Sequence, residues 1–148
     1  MEFHMSTPKK WKLSKDPLLR GDSKSGVRPP VPSADDSLIR HILYLEGPGR
    51  ETPYLSTSEN IEAADFFAQG GIVWKTFVKK AKDSGIGHIS NSELLSVMKG
   101  NGKGKAKWDD AFEVMQARRY VEQWAEHLLD FREVDDPEKI VSLIFEKS

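Results

Sequence analysis

Apolar residues recur along this chain in short clustered or alternating runs, separated by glycine- and proline-marked turns, which predicts a small α+β domain. Leu38 to Leu45 is rich in Ile, Leu and Tyr and ends at Gly47-Pro48-Gly49, predicting a strand and a turn. Tyr54 to Ser58 predicts a second strand. Ile61, Ala64, Phe67 and Ala68 then fall at helical spacing, with Glu59 and Glu62 where the helix dipole favours carboxylates and Gly70-Gly71 as the stop. Gly71 to Val78, dense in β-branched and aromatic residues, is the clearest strand. A turn at Asp83-Ser84-Gly85, a short strand over Ile86 to Ile89 and a brief helix over Glu93 to Met98 follow, the helix capped by Asn91 or Ser92.

Trp108, Phe112 and Met115 share one face of a further helix that continues through Tyr120 and Trp124. The pattern then divides. Tyr120, Trp124, Leu128 and Phe131 keep helical spacing, yet Glu126 to Phe131 also reads as a strand; periodicity favours the helix. Beyond Asp135-Asp136-Pro137, Ile140 to Phe145 predicts a last strand. At the other end, Ser6 to Asp36 is polar, basic and broken by Pro8, Pro17, Pro29, Pro30 and Pro32, which predicts an extended arm that Trp11, Leu13, Leu18 and Leu19 could dock. Met1 to His4, ahead of a second methionine, reads as a cloning remnant. The expected division is therefore 1–4 remnant, 5–36 arm or linker, and 37–148 a single folded domain.

With 148 residues, 38% of them hydrophobic and 30% charged, the chain has material for one core and not two. A formal charge of −1 disfavours binding nucleic acid through global charge, although Lys99, Lys103, Lys105 and Lys107 form a local basic loop. That loop lacks the Gly-Lys-Ser or Gly-Lys-Thr ending of a phosphate-binding loop and reads first as a solvated segment. With no cysteine, disulfides, thiolate metal sites and cysteine nucleophiles are excluded, which suits a reducing compartment or a chain that unfolds for export. No stretch has the length of a membrane span or the form of a classical signal peptide.

The candidate chemistry centres on Tyr54-Leu55-Ser56-Thr57-Ser58. On a strand, Ser56 and Ser58 project from one face and Thr57 from the other, so two hydroxyls serve a cleft while the threonine braces the scaffold. An arginine on the adjacent strand, Arg40, offers a planar fork of donors suited to phosphate. The plainer reading has Ser58 starting the following helix and Arg40 in a surface ion pair. His41, His88 and His127 lack the paired spacing of metal ligands, but two of them meeting in space would supply the acid and base of a metal-free ribonuclease.

Arg40, the Ser56-Thr57-Ser58 run, Ala63-Ala64-Asp65-Phe66-Phe67-Ala68, the Gly71 to Val78 strand, and Trp124-Ala125-Glu126-His127-Leu128-Leu129 together resemble the arginine-serine-glutamate class of bacterial mono-ADP-ribosyltransferase toxin domains. The resemblance spans Ser37 to the C-terminus. It implies a split α+β fold with a mixed sheet, two small packed β-sheets with flanking helices, that binds NAD in a cleft and uses no metal. It also implies that Arg40 holds the NAD phosphates and that Ser56 orders the ribose and the catalytic Glu126. Thr57, Ser58 and Tyr54 support that strand and its ligand. Glu113 and Glu122 are alternative glutamates. Trp124 stands where members that modify arginine or asparagine usually carry Glu or Gln, which leaves the acceptor open and admits a catalytically inactive interaction domain as a further reading. A toxin of this kind is secreted or delivered into a target-cell cytoplasm, engages a protein or RNA acceptor, for which the basic loop is the candidate, and is accompanied by an immunity or inhibitor protein.

Overall fold

The structure, a computed structural model, describes residues 17–46, 49–98 and 111–148. Its elements in chain order are β1 (Leu18–Asp22), α1 (Leu38–Leu43), β2 (Tyr54–Ser58), α2 (Ile61–Ala68), β3 (Ile72–Thr76), α3 (Val78–Asp83), β4 (Gly87–Ile89), α4 (Asn91–Val97), α5 (Ala111–Gln123), β5 (Glu126–Asp130), α6 (Pro137–Ile144) and β6 (Glu146–Lys147). The strands form one six-stranded sheet in the order β4-β5-β2-β1-β3-β6, with every pairing antiparallel. The expected α+β class is observed, but as one antiparallel sheet rather than two sheets of mixed direction. The sheet is narrow in the middle: β1 and β2 meet only at Leu19 and Ser58, whereas β2 pairs with β5, and β1 with β3, along their whole lengths.

β1 corrects the expected domain boundary. Residues 5–36 were expected to form an arm, yet Leu18–Asp22 lies inside the sheet with Leu18 fully buried. Gly21 lets α2 lie against this strand, because a Cβ there would stand 2.1 Å from the Ala64 carbonyl oxygen and 2.4 Å from the Ala68 nitrogen. The run Leu38–Leu43 is a helix, not a strand. The Ser37 hydroxyl accepts from the Arg40 amide at 3.1 Å, and this N-cap outweighs the β-propensity of the isoleucines. The C-terminal run is likewise helical: Asp136 caps it, Pro137 occupies the first turn, and Val141 and Ile144 are buried one turn apart.

β5 resolves the ambiguous segment as a strand. Leu128 faces one core with Tyr54, Ile39, Leu94, Val114 and Val121, while Leu129 faces another with Leu18, Leu55, Phe131 and Ile144. A strand buried on both faces carries a continuous apolar run rather than an alternating one, which is why its periodicity misleads. Among the described residues no helix is long and apolar enough to cross a membrane.

Candidate active site

A cleft of about 620 Å³ opens where β1 and β2 part, lined by Arg20, His41, Glu46, Ser56, Trp124 and Glu126 among others. β2 and β5 bring the serine and the glutamate together. Ser58 pairs with Glu126 in register, and the Ser56 hydroxyl, on the same face, donates to Glu126 Oε2 at 2.6 Å. Ser56 has one proton and gives it to Glu126, so the 2.7 Å contact from His41 Nε2 is an N–H donated to Ser56 Oγ. His41 Nδ1 is then the acceptor, receiving the Thr52 hydroxyl at 2.8 Å. The result is a directed chain, Thr52 to His41 to Ser56 to Glu126.

Two arginines line the cleft, Arg50 and, on β1, the buried Arg20. Arg20 is the one tied to the serine strand. Its Nη1 donates to the Ser56 carbonyl at 2.9 Å and to both Glu46 oxygens at 3.0 and 3.1 Å, while Nε donates to Asp22 at 3.0 Å. Glu46 also accepts the Ser56 amide at 2.8 Å, and its backbone is held at φ 78°, a left-handed conformation that costs a non-glycine residue about 1 kcal/mol.

Burial sets the protonation states. It pushes the Glu126 carboxyl up to about 7, against the Ser56 hydrogen bond and the charge of Arg20, which favour ionisation. It also pushes His41 down to about 4, so the imidazole is neutral near pH 7. Burial opposes the charge of Glu46 as well, but the Arg20 guanidinium together with His41 and the Ser56 amide outweighs it and holds this carboxyl below the usual range.

Arg40 is a correction. It lies on the exposed face of α1, not on a strand beside Ser56, and its guanidinium grips Asp35 at 2.6 and 2.9 Å because the helix turns it away from the sheet. Of the other expected residues, Ser58 lines the cleft but donates to the Trp124 carbonyl at 2.5 Å and receives the Asn60 amide at 2.9 Å, so its hydroxyl is structural. The Thr57 hydroxyl binds the His127 carbonyl at 3.1 Å, the bracing role expected of it. Tyr54 is 2% exposed, bonds the Asp36 carbonyl through its hydroxyl and packs edge-on against His41; it supports the site from behind rather than from within the cleft. Of the alternative glutamates, Glu113 pairs with the Tyr44 hydroxyl, and Glu122 is exposed on α5.

His88 and His127 meet, with Nε2 to Nδ1 at 3.0 Å and stacked rings. They bond each other directly, which leaves no room between them for a phosphodiester, and neither lines the cleft. Trp124 does line it, stacked on Phe66 at 5.5 Å and set edge-on to Phe67, forming an aromatic wall beside Glu126. Lys99, Lys103, Lys105 and Lys107 lie outside the described residues. Among the described residues no group of three or more His, Cys, Asp or Glu could hold a metal ion.

Sequence reasoning missed Arg20, Glu46 and the role of His41. The available signal was Leu18-Leu19-Arg20-Gly21, an apolar pair before an arginine, hidden in a proline-rich stretch. No protein-family model, curated protein or solved structure matches this chain.

Proposed function

We propose that this chain is an NAD-dependent mono-ADP-ribosyltransferase domain, a bacterial toxin or delivered effector, whose site is Arg20, Ser56 and Glu126 rather than the triad with Arg40. The observation that carries the reading is the 2.6 Å hydrogen bond from Ser56 to Glu126 in a cleft that also holds Arg20. Breaking the bond between nicotinamide and ribose develops positive charge on the sugar, and an ionised carboxylate held beside it stabilises that charge most where water is excluded. Glu126 is 7% exposed and meets that requirement when ionised.

In this reading the electron pair of the C1′–N bond leaves with neutral nicotinamide, and an acceptor nucleophile attacks C1′ and gives up its proton. Arg20 offers the NAD phosphates its Nη2 donors, since Nη1 and Nε are already bonded to Glu46, the Ser56 carbonyl and Asp22. A second cavity of about 690 Å³ shares Arg20, Glu46 and Arg50 with the first and adds Arg28, offering length and further guanidinium donors for the rest of a dinucleotide. The acceptor, an accompanying inhibitor and delivery into a target cell remain parts of the same proposal, resting on the family resemblance.

The test follows nicotinamide release and label transfer from NAD, with cell extract present, for the native protein, Glu126→Ala and Ser56→Ala. Turnover by the native protein that Glu126→Ala abolishes supports the proposal. No turnover by the native protein overturns it.

A further inference from the structure

Glu126 reaches the cleft because the turn Trp124-Ala125 swings the chain out of α5 and straight into β5. Ala125 is left-handed there, with φ 46°, an unfavourable conformation for alanine that surrounding bonds must hold. Those bonds are present on both sides of the turn. The Trp124 carbonyl receives the Ser58 hydroxyl at 2.5 Å and the Ala125 carbonyl receives the Glu59 amide at 3.3 Å. From the opposite side comes Asn91, the first residue of α4. Both hydrogens of its side-chain amide are used, one on the Val121 carbonyl at 2.9 Å and one on the Glu126 carbonyl at 3.1 Å.

Two details make this more than a generic contact. The pairing of β4 with β5 ends at Leu128, so that ladder leaves Glu126 uncovered on its β4 side and the Asn91 amide continues it by one bond. Asn91 is also anchored, since its own amide donates to His127 Nδ1 at 3.3 Å while His127 Nε2 is 2.6 Å from Glu59. Val121 belongs to the end of α5 and Glu126 to the start of β5, so one amide spans the strained turn and fixes the two elements relative to each other.

Resting on the ADP-ribosyltransferase reading, we propose that Asn91 is a positioning residue that holds Glu126 against Ser56 through the main chain of the α5–β5 turn. Asn91 does not line the cleft, so it acts on the reaction only through Glu126. Loss of its amide loosens the turn, and the carboxyl departs from the geometry that catalysis requires.

Asn91→Asp preserves the shape but replaces the donor amide with acceptor oxygens facing two carbonyls. A cooperative thermal transition first establishes that the variant is folded. The expected kinetic result is a fall in kcat for NAD cleavage of about 10²-fold, since small displacements of a reacting group have effects of that size. KM for NAD stays within about twofold, because ground-state binding is untouched. The carboxyl 13C shift of Glu126, followed against pH in Asn91→Ser, which adds no neighbouring charge, moves its midpoint downward as the group escapes burial. Native kcat together with a native Glu126 titration in the folded variants overturns the proposal, as does a raised KM with unchanged kcat. If the native protein cleaves no NAD, the functional reading fails, and the titration alone then decides whether Asn91 positions Glu126. Should Asn91→Asp not fold, the kinetics of Asn91→Ser are measured in the same way.

Discussion

The Arg20 guanidinium donates a 2.9 Å hydrogen bond to the main-chain oxygen of Ser56, joining the β1 arginine to the β2 serine near the narrow joint where only Leu19 and Ser58 pair. The arginine and the serine are thereby set in one cleft by the topology of the sheet, not by nearness in sequence.

Exchanging the two candidate arginines separates their roles. Arg20→Met removes the cation that compensates the Glu46 carboxylate, and breaking a buried pair in this way costs about 3 kcal/mol. It also abolishes NAD binding. Arg40→Ala removes an exposed partner of Asp35, changes stability by less than about 0.5 kcal/mol and leaves turnover unchanged. Urea unfolding and nicotinamide release read both effects. Turnover lost with Arg40→Ala and kept with Arg20→Met reverses the arginine assignment.

Glu126 predicts two opposite pH trends. Its folded pKa of about 7 lies above the ordinary 4.5, so the folded state binds a proton that the unfolded state has lost between those values. Its contribution to stability is therefore greatest below about pH 4.5 and declines up to about pH 7, by an amount on the order of 3 kcal/mol. Catalysis needs the ionised carboxylate, so kcat/KM rises with pH through about 7 and levels above it. Glu126→Gln is inactive at every pH and more stable than the native protein at about pH 8, with the difference shrinking toward about pH 5. Thermal unfolding of both proteins at the two pH values checks the sign, and no gain at the higher value refutes it.

Tyr54-Leu55 ahead of the hydroxyl run made the strand that carries Ser56 legible, whereas the helical spacing around Glu126 pointed away from β5, so the meeting of the two side chains was legible only through the order of the resemblance. Arg20 was not legible. Gly21 and Asp22 are poor strand formers, Pro17 precedes them, and only pairing with β2 and β3 makes Leu18–Asp22 a strand. The Ile and Leu neighbours of Arg40 carry a strand pattern, while the Ser37 cap that turns them into a helix is a weaker sequence signal. His41 could not be recognised as a site residue from spacing, since its partners, Thr52 and Ser56, are brought to it by the loop between α1 and β2.

Gly21 carries a packing prediction next to the site. An added Cβ collides with backbone atoms of α2, which cannot rotate away as a side chain would. Gly21→Ala therefore lifts α2 from β1 and destabilises by about 3 kcal/mol, the range of severe overpacking. Phe66 and Phe67 ride on α2, so the aromatic wall beside Trp124 shifts with it, and tryptophan emission changes in the folded fraction. A native midpoint in urea contradicts the close approach.

Ala125 offers the converse, a stabilising change within the turn that delivers Glu126. At φ 46° a glycine is relaxed where alanine is strained, so Ala125→Gly gains about 1 kcal/mol, partly offset by the greater freedom of glycine in the unfolded chain. For a chain of this length that corresponds to a rise in Tm of about 3 °C at most. Ala125→Val moves the other way, because a β-branched side chain is still less compatible with a left-handed backbone. The bonds from Ser58, Glu59 and Asn91 hold the turn in both variants, so kcat in Ala125→Gly stays within about twofold of native, as expected where transition-state contacts are unchanged. A lower Tm for Ala125→Gly than for Ala125→Val, measured by calorimetry under one buffer, contradicts the left-handed turn and with it the route by which Glu126 enters the cleft.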